Sequence, residues 1–216
     1  MSLFGALAAR TSEETDRRRF GIWVGLALII ILPVWWFGGA DILIAAIRPL
    51  AAGFVALFGL DGGIAAGPEG AWIVSTGLVL ADGSGTMDYT VAKEVLRRLM
   101  LGVPLFVAFM IAPPRAERPL RGLLIGAAVL LALFLLSLTA FLWGEIAPML
   151  NPALAPAGGP LTQLTGEPLN PVLAQIAIVG RYVGMSVAPL IVSIILWAVL
   201  NPRGREALLG QIEAET

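Results

Sequence analysis

The sequence contains no cysteine and no histidine, and only 13% of its 216 residues are charged. Without cysteine there is no disulfide, no thiol nucleophile, no iron–sulfur cluster and no thiolate zinc site. Without histidine there is no Ser-His-Asp or Cys-His catalysis, no His-ligated haem and none of the usual zinc-enzyme ligand sets. A soluble domain carries about 25% charged residues, and half that charge cannot clothe a water-facing surface. What fills the chain instead is apolar: 58% of residues are hydrophobic and the mean hydropathy is +0.88. These values place it among integral membrane proteins. The net charge of −1 gives no footing for nucleic acid.

A membrane-crossing helix needs roughly 20 mostly apolar residues. Four stretches reach that length: 20–37, 95–112, 122–143 and 172–200. The first holds Pro33 and carries Trp23, Trp35 and Trp36 near its ends, where indoles favour the membrane–water boundary. Residues 41–60 place Ile42, Leu43, Ala46, Leu50, Phe54 and Leu57 near a helical period, but they also carry Asp41 and Arg48. The expectation is an amphipathic helix lying on the membrane or against the bundle; the alternative is a fifth span. Residues 61–71, rich in Gly, Ala and Pro, read as a loop. Two β-prone runs, 72–80 and 86–91, flank Ala81-Asp82-Gly83-Ser84-Gly85 and predict a β-hairpin. An isolated hairpin is marginal in water, so this one needs support. The expected fold is an all-α polytopic membrane protein, with four transmembrane helices, a small extracytoplasmic β-hairpin and an amphipathic helix.

Charge sets the expected topology. Arg10, Arg17, Arg18 and Arg19 lie in 1–19, Arg115, Arg118 and Arg121 in 113–121, and Arg203 and Arg205 in 201–216. Nine of the fourteen basic residues thus mark one side. The positive-inside rule makes that side cytoplasmic and both termini cytoplasmic. Segments 38–98 and 144–171 then face outward. A fifth span at 41–60 would turn the 113–121 arginines outward, so four spans fit the charges better. The basic start and Gly38-Gly39-Ala40 also resemble a signal peptide with its cleavage site. The long apolar run and the bulky Trp35 and Trp36 favour an uncleaved anchor.

Few residues offer chemistry. Arg181 sits about ten residues inside the last apolar stretch, where a central Arg costs about 2.5–3.5 kcal/mol on insertion scales. It is either a buried cation facing a carboxylate, with Glu145, Glu167 and Asp88 as candidates, or an interfacial residue that snorkels while the span runs from Tyr182 to Leu200. Glu145 reads as a cap, an interfacial carboxylate or the partner of Arg181. Turn chemistry explains Asp82, and the Asp spacing lacks the calcium-loop pattern. Lys93, the only lysine, lies beside Arg97 and Arg98 and reads as an interfacial anchor. The pairs Gly122–Gly126 and Gly180–Gly184 allow close helix contact, inside the chain or with a partner. No catalytic constellation, cofactor site or metal site emerges.

The string Leu32-Pro33-Val34-Trp35-Trp36 at the end of the first span, the β-rich segment 72–91 and Gly102-Val103-Pro104-Leu105-Phe106-Val107-Ala108 together resemble the exosortase H-associated membrane proteins of bacteria, over residues 20–145. Exosortases themselves look like polytopic transpeptidases with a Cys nucleophile and Arg and His partners. A chain without Cys or His is then expected to be an accessory and not the peptidase. The resemblance implies an inner-membrane protein that assists protein sorting or surface export by binding a polytopic partner, an exosortase. Arg181, Glu145 and Asp88 are its candidate functional polar residues. The hairpin is its candidate docking element, with Trp72, Val74 and Thr76 as contacts. The alternative is a subunit of a small-molecule or ion transporter. A membrane enzyme would need Glu145, Glu167 or Asp88, which no known spacing links.

Overall fold

Proline and glycine decide where the apolar helices of this chain run on and where they break. The computed structural model describes residues 3–151, 154 and 163–209. The outermost parts of the predicted segments 1–19 and 201–216, and the middle of the 144–171 loop, lie outside the described residues. Helix α1 covers Leu3–Val34 and α2 covers Ala40–Leu57, joined by a wider, π-type turn at Trp35–Gly39. Pro33 withdraws its N–H from the end of α1, and the wide turn follows directly. The apolar stretch Arg17–Leu57 covers 41 residues and is interrupted by non-helical backbone at Gly38.

The helix expected at 41–60 is thus present. It buries Ala40, Ile44, Ala51 and Val55 while exposing Ile42 and Leu57. Apolar side chains thus lie on both its buried and its exposed sides.

The span expected at 95–112 is divided into α3, Lys93–Leu99, and α4, Gly102–Ile111. Pro104 explains the break: it has no N–H to give the carbonyl four residues back, at Met100. The span expected at 172–200 is likewise divided into α6, Pro171–Ser186, and α7, Ala188–Leu200, bent by 63°. Pro189 acts on Met185 in the same way, so the straight run from Tyr182 to Leu200 does not form. Helix α5, Pro119–Leu150, contains the expected 122–143 span, and α8 covers Pro202–Leu209. Among the described residues, two helical stretches have the length and apolarity to cross a membrane, or three if the bent pair is one span, against the four expected.

The hairpin forms as predicted, from β2, Trp72–Leu80, and β3, Thr86–Val91. Its turn closes through the Leu80 N–H to the Gly85 carbonyl, and Asp82 Oδ1 accepts from both the N–H and the hydroxyl of Ser84. These donors, the backbone N–H of Ser84 first, hold the exposed Asp82 carboxyl below the usual carboxylate range. A bulge interrupts the register between Ser75 and Val79, and Gly77 takes a positive φ of 72° there. The support the hairpin needs comes from two further antiparallel strands beside β2. These are β1, Gly63–Ala66, inside the predicted loop, and β4, Leu164–Thr165. The Gly-Ile-Ala-Ala sequence of β1 has little strand propensity of its own; pairing with Trp72–Ser75 imposes it.

The chain divides into two compact units. The first comprises residues 1–37, 102–130 and 190–216. Here Trp197 is buried, with its ring centroid 4.9 Å from Phe20 and 5.9 Å from Phe109. The Ser193 hydroxyl donates to the Gly102 carbonyl at 2.9 Å. Gly126 lies so close to the Phe106 ring that an added Cβ would sit 2.2 Å from it. The second unit comprises 38–101 and 131–189. In it the sheet packs on α5 through edge-to-face contacts of Trp72 with Phe134 and Tyr89 with Phe141, each 6.2 Å between centroids. The Trp143 indole N–H donates to the Phe58 carbonyl at 3.1 Å. The small residues singled out in the sequence therefore serve contacts within the chain: Gly180 meets Ala140, and Gly184 meets Ser137.

Substituting Gly126→Ala forces the buried Phe106 ring aside and is expected to cost about 1–3 kcal/mol. Gly25→Ala, where the added methyl meets nothing within 4 Å, is expected to be neutral or stabilising by up to about 1 kcal/mol. Thermal midpoints in detergent check this pair; equal midpoints for both variants contradict the packing.

Candidate functional site

Glycines on α5 and α6 bring two charged side chains together. A Cβ on Gly144 would meet the Ala177 carbonyl oxygen at 2.8 Å, and one on Gly180 would meet Ala140 at 3.1 Å. With the helix backbones this close, Arg181 Nη1 reaches Glu145 Oε1 at 2.6 Å. Both side chains are largely buried, at 18% and 29% exposure. Burying one charge alone would be prohibitive, and pairing makes the position tenable. The Arg181 guanidinium also lies 4.5 Å from the centroid of the Tyr182 ring and donates to its hydroxyl. Its Nε is buried with no hydrogen-bond partner among the described residues.

From the sheet, Tyr89 adds a hydrogen bond to the Glu145 carboxylate. Burial raises the Tyr89 phenol, the Glu145 charge and hydrogen bond raise it further, and Arg181 opposes them; the pKa reaches about 12. A cavity of about 250 Å³ opens beside the pair, lined by Gly144, Glu145, Pro148, Ile178, Arg181 and Tyr182. Of the three carboxylates considered for Arg181, the structure selects Glu145. Asp88 accepts from the Ser75 hydroxyl at 2.9 Å across the hairpin, and Glu167 is exposed.

The three expected docking contacts face the interior. Trp72, Val74 and Thr76 are 2%, 0% and 2% exposed. The Thr76 hydroxyl donates to the Met87 carbonyl at 2.6 Å. Strand alternation explains this: these three residues share the face of β2 that packs against the helices. They belong to the core and are corrected as partner contacts. On β3 the exposed side chains are Thr86, Asp88 and Thr90. Among the described residues β3 pairs with β2 alone, so its other edge is open.

A second ionic cluster escaped the sequence reading. Asp41, in the first turn of α2, accepts from Arg97 Nε and Nη2 at 3.2 and 2.9 Å through Oδ1, and from Lys93 Nζ at 2.8 Å through Oδ2. One turn apart on α3, Lys93 and Arg97 clamp α2, and Arg97 is 8% exposed. Only Arg98 is exposed. The available signal was an acid opening an apolar helix and two cations at i and i+4, but the 51 residues between Asp41 and Lys93 hid their pairing.

Both clusters are closed electrostatically. Each carboxylate, Glu145 and Asp41, is already held by cations, and among the described residues no three acidic groups converge to hold a metal. The arrangement fixes helices and sheet to one another within this unit. A family model described as exosortase H-associated membrane protein matches residues 14–204, extending the resemblance through α6 and α7. No curated protein and no solved structure matches the chain.

Tyr89 gives this site a titration signature. Its unfolded phenol ionises near 10 and its folded one near 12. Its contribution to stability is therefore complete below about pH 10 and is lost as pH rises toward about 12. Ultraviolet titration of the protein, which has only two tyrosines, is expected to show one ionising near 12. In Glu145→Gln that value falls, because the anion is gone and Arg181 remains, while burial of the phenol persists. An unchanged titration in the variant contradicts the Tyr89–Glu145 contact.

Proposed function

Because the chain belongs to the exosortase H-associated membrane protein family, we propose that it is a non-enzymatic accessory protein of an exosortase-type protein-sorting system. It resides in the bacterial inner membrane with both termini in the cytoplasm and the sheet on the outer side. There it binds a polytopic partner, the exosortase. The absence of Cys and His supports the division of labour: this chain has no nucleophile or base of the peptidase kind to contribute.

The observation that carries the reading is the sheet seated on α5 with one edge of β3 open. Three-strand support from β1, β2 and β4 makes β3 a rigid template, and an open edge satisfies a partner strand through main-chain hydrogen bonds. Thr86, Asp88 and Thr90 supply a polar margin that suits a reversible contact in water. This moves docking from the buried face of β2 to the edge of β3. The transporter alternative gains no support, since Arg181 is already engaged by Glu145.

Photocrosslinking side chains placed singly at Thr86, Asp88 and Thr90 test the edge during co-expression with the exosortase. Adducts are expected at these positions and not at Leu124, an exposed apolar position of α5. Absence of adducts at all three, with a folded protein in the membrane, contradicts docking through β3.

A further inference from the structure

In the first unit, the lower ends of the apolar helices carry arginine where their flanks carry leucine. Arg118, Arg121 and Arg203 line an open cavity of about 550 Å³ together with Gly122, Ile125 and Val199. One acid faces these three cations. Glu117 is paired with Arg203 at 2.7 Å, so the cavity keeps a net positive charge. Among the described residues, Arg118 and Arg121 have no carboxylate within ion-pair reach and both are exposed.

The cavity is preformed. Asn201, fully buried, donates to the Pro114 carbonyl at 2.9 Å and accepts from the Gly204 N–H at 3.1 Å. It thereby ties the loop before α5 to the joint between α7 and α8. Gly122 has no Cβ to hold α5 off Met110 and Leu200; a Cβ there would meet Met110 Cε at 2.7 Å. The wall beside the arginines is apolar at Ile125, Val199 and Leu200, and Leu120 and Leu124 on the same helix α5 are 76% and 73% exposed.

We propose that this cavity binds the phosphate headgroup of an anionic phospholipid, with an acyl chain lying along Ile125, Val199 and Leu124. Two uncommitted guanidiniums give forked, charge-assisted hydrogen bonds to phosphate. A basic pocket at the end of membrane helices is the setting in which such headgroups are held. The apolar wall distinguishes a lipid from a soluble anion, for which it offers nothing. The proposal is independent of the partner and of the role of β3.

Native mass spectrometry of the detergent-purified full chain tests it, with phosphatidylglycerol, phosphatidylcholine and inorganic phosphate as probes. Phosphatidylglycerol adducts are expected, with none of comparable strength for phosphatidylcholine or inorganic phosphate. Arg118→Gln with Arg121→Gln weakens the phosphatidylglycerol adduct on the order of tenfold. Arg118→Lys with Arg121→Lys retains most of it and guards against a folding loss, and Arg98→Gln, in the other unit, leaves it unchanged. Equal binding of phosphatidylcholine, an unchanged adduct in the folded Gln variant, or phosphate binding as well as the lipid overturns the proposal.

Discussion

An open sheet edge has no place in hydrocarbon, because every backbone N–H and C=O left unpaired there costs several kcal/mol. This chain nevertheless mounts a four-stranded sheet on a helix long and apolar enough to cross a membrane. Two aromatic contacts, Trp72 on Phe134 and Tyr89 on Phe141, make the attachment. They govern what the rest of the second unit does. With 32 residues, α5 is about 48 Å long, well beyond the roughly 30 Å core. Its exposed large apolar residues, Leu120, Leu124, Ile125, Val129 and Leu136, stop at Leu136. Beyond that point the helix is enclosed by its own chain, and its spare length is what carries the sheet.

The ionic pairs follow from the same constraint. A helix that leaves lipid for a packed, half-dry layer can carry charge only if the charge is matched. Glu145 on α5 is matched by Arg181 on α6, and Asp41 on α2 by Lys93 and Arg97 on α3. Neither set is an ornament of the surface. Both join segments distant in sequence, and Tyr89 couples one of them to the sheet. The low charge content of the sequence acquires a meaning here: in this layer, acids and bases serve as fasteners.

Local chemistry made part of this legible in advance. The β-branched run 72–80 and the Asp82-Gly83-Ser84-Gly85 turn announce a hairpin because both signals act within a few residues. Arg181 stood out because a cation inside an apolar run must be accounted for, and Glu145 was among its candidate partners. What stayed hidden depended on distant neighbours. Strand β1 exists only because β2 pairs with it, and Asp41 finds Lys93 and Arg97 only in the folded chain. Trp72, Val74 and Thr76 face inward because α5 lies beneath the hairpin, and the local pattern of β2 does not say which of its faces a helix covers. The divided spans were present in the sequence as Pro104 and Pro189, whose effect on the fourth preceding carbonyl outweighed an uninterrupted apolar run.

The proposed topology puts the sheet on the outer side of the membrane and the arginine-rich 113–121 segment inside. The natural absence of cysteine permits a clean test with single cysteines and a membrane-impermeant maleimide on intact cells. Ser84→Cys, in the exposed hairpin turn, is predicted to label before permeabilisation, and Arg121→Cys only after it. Labelling of Ser84→Cys solely after permeabilisation would contradict the account, since the open edge of β3 would then face the wrong compartment.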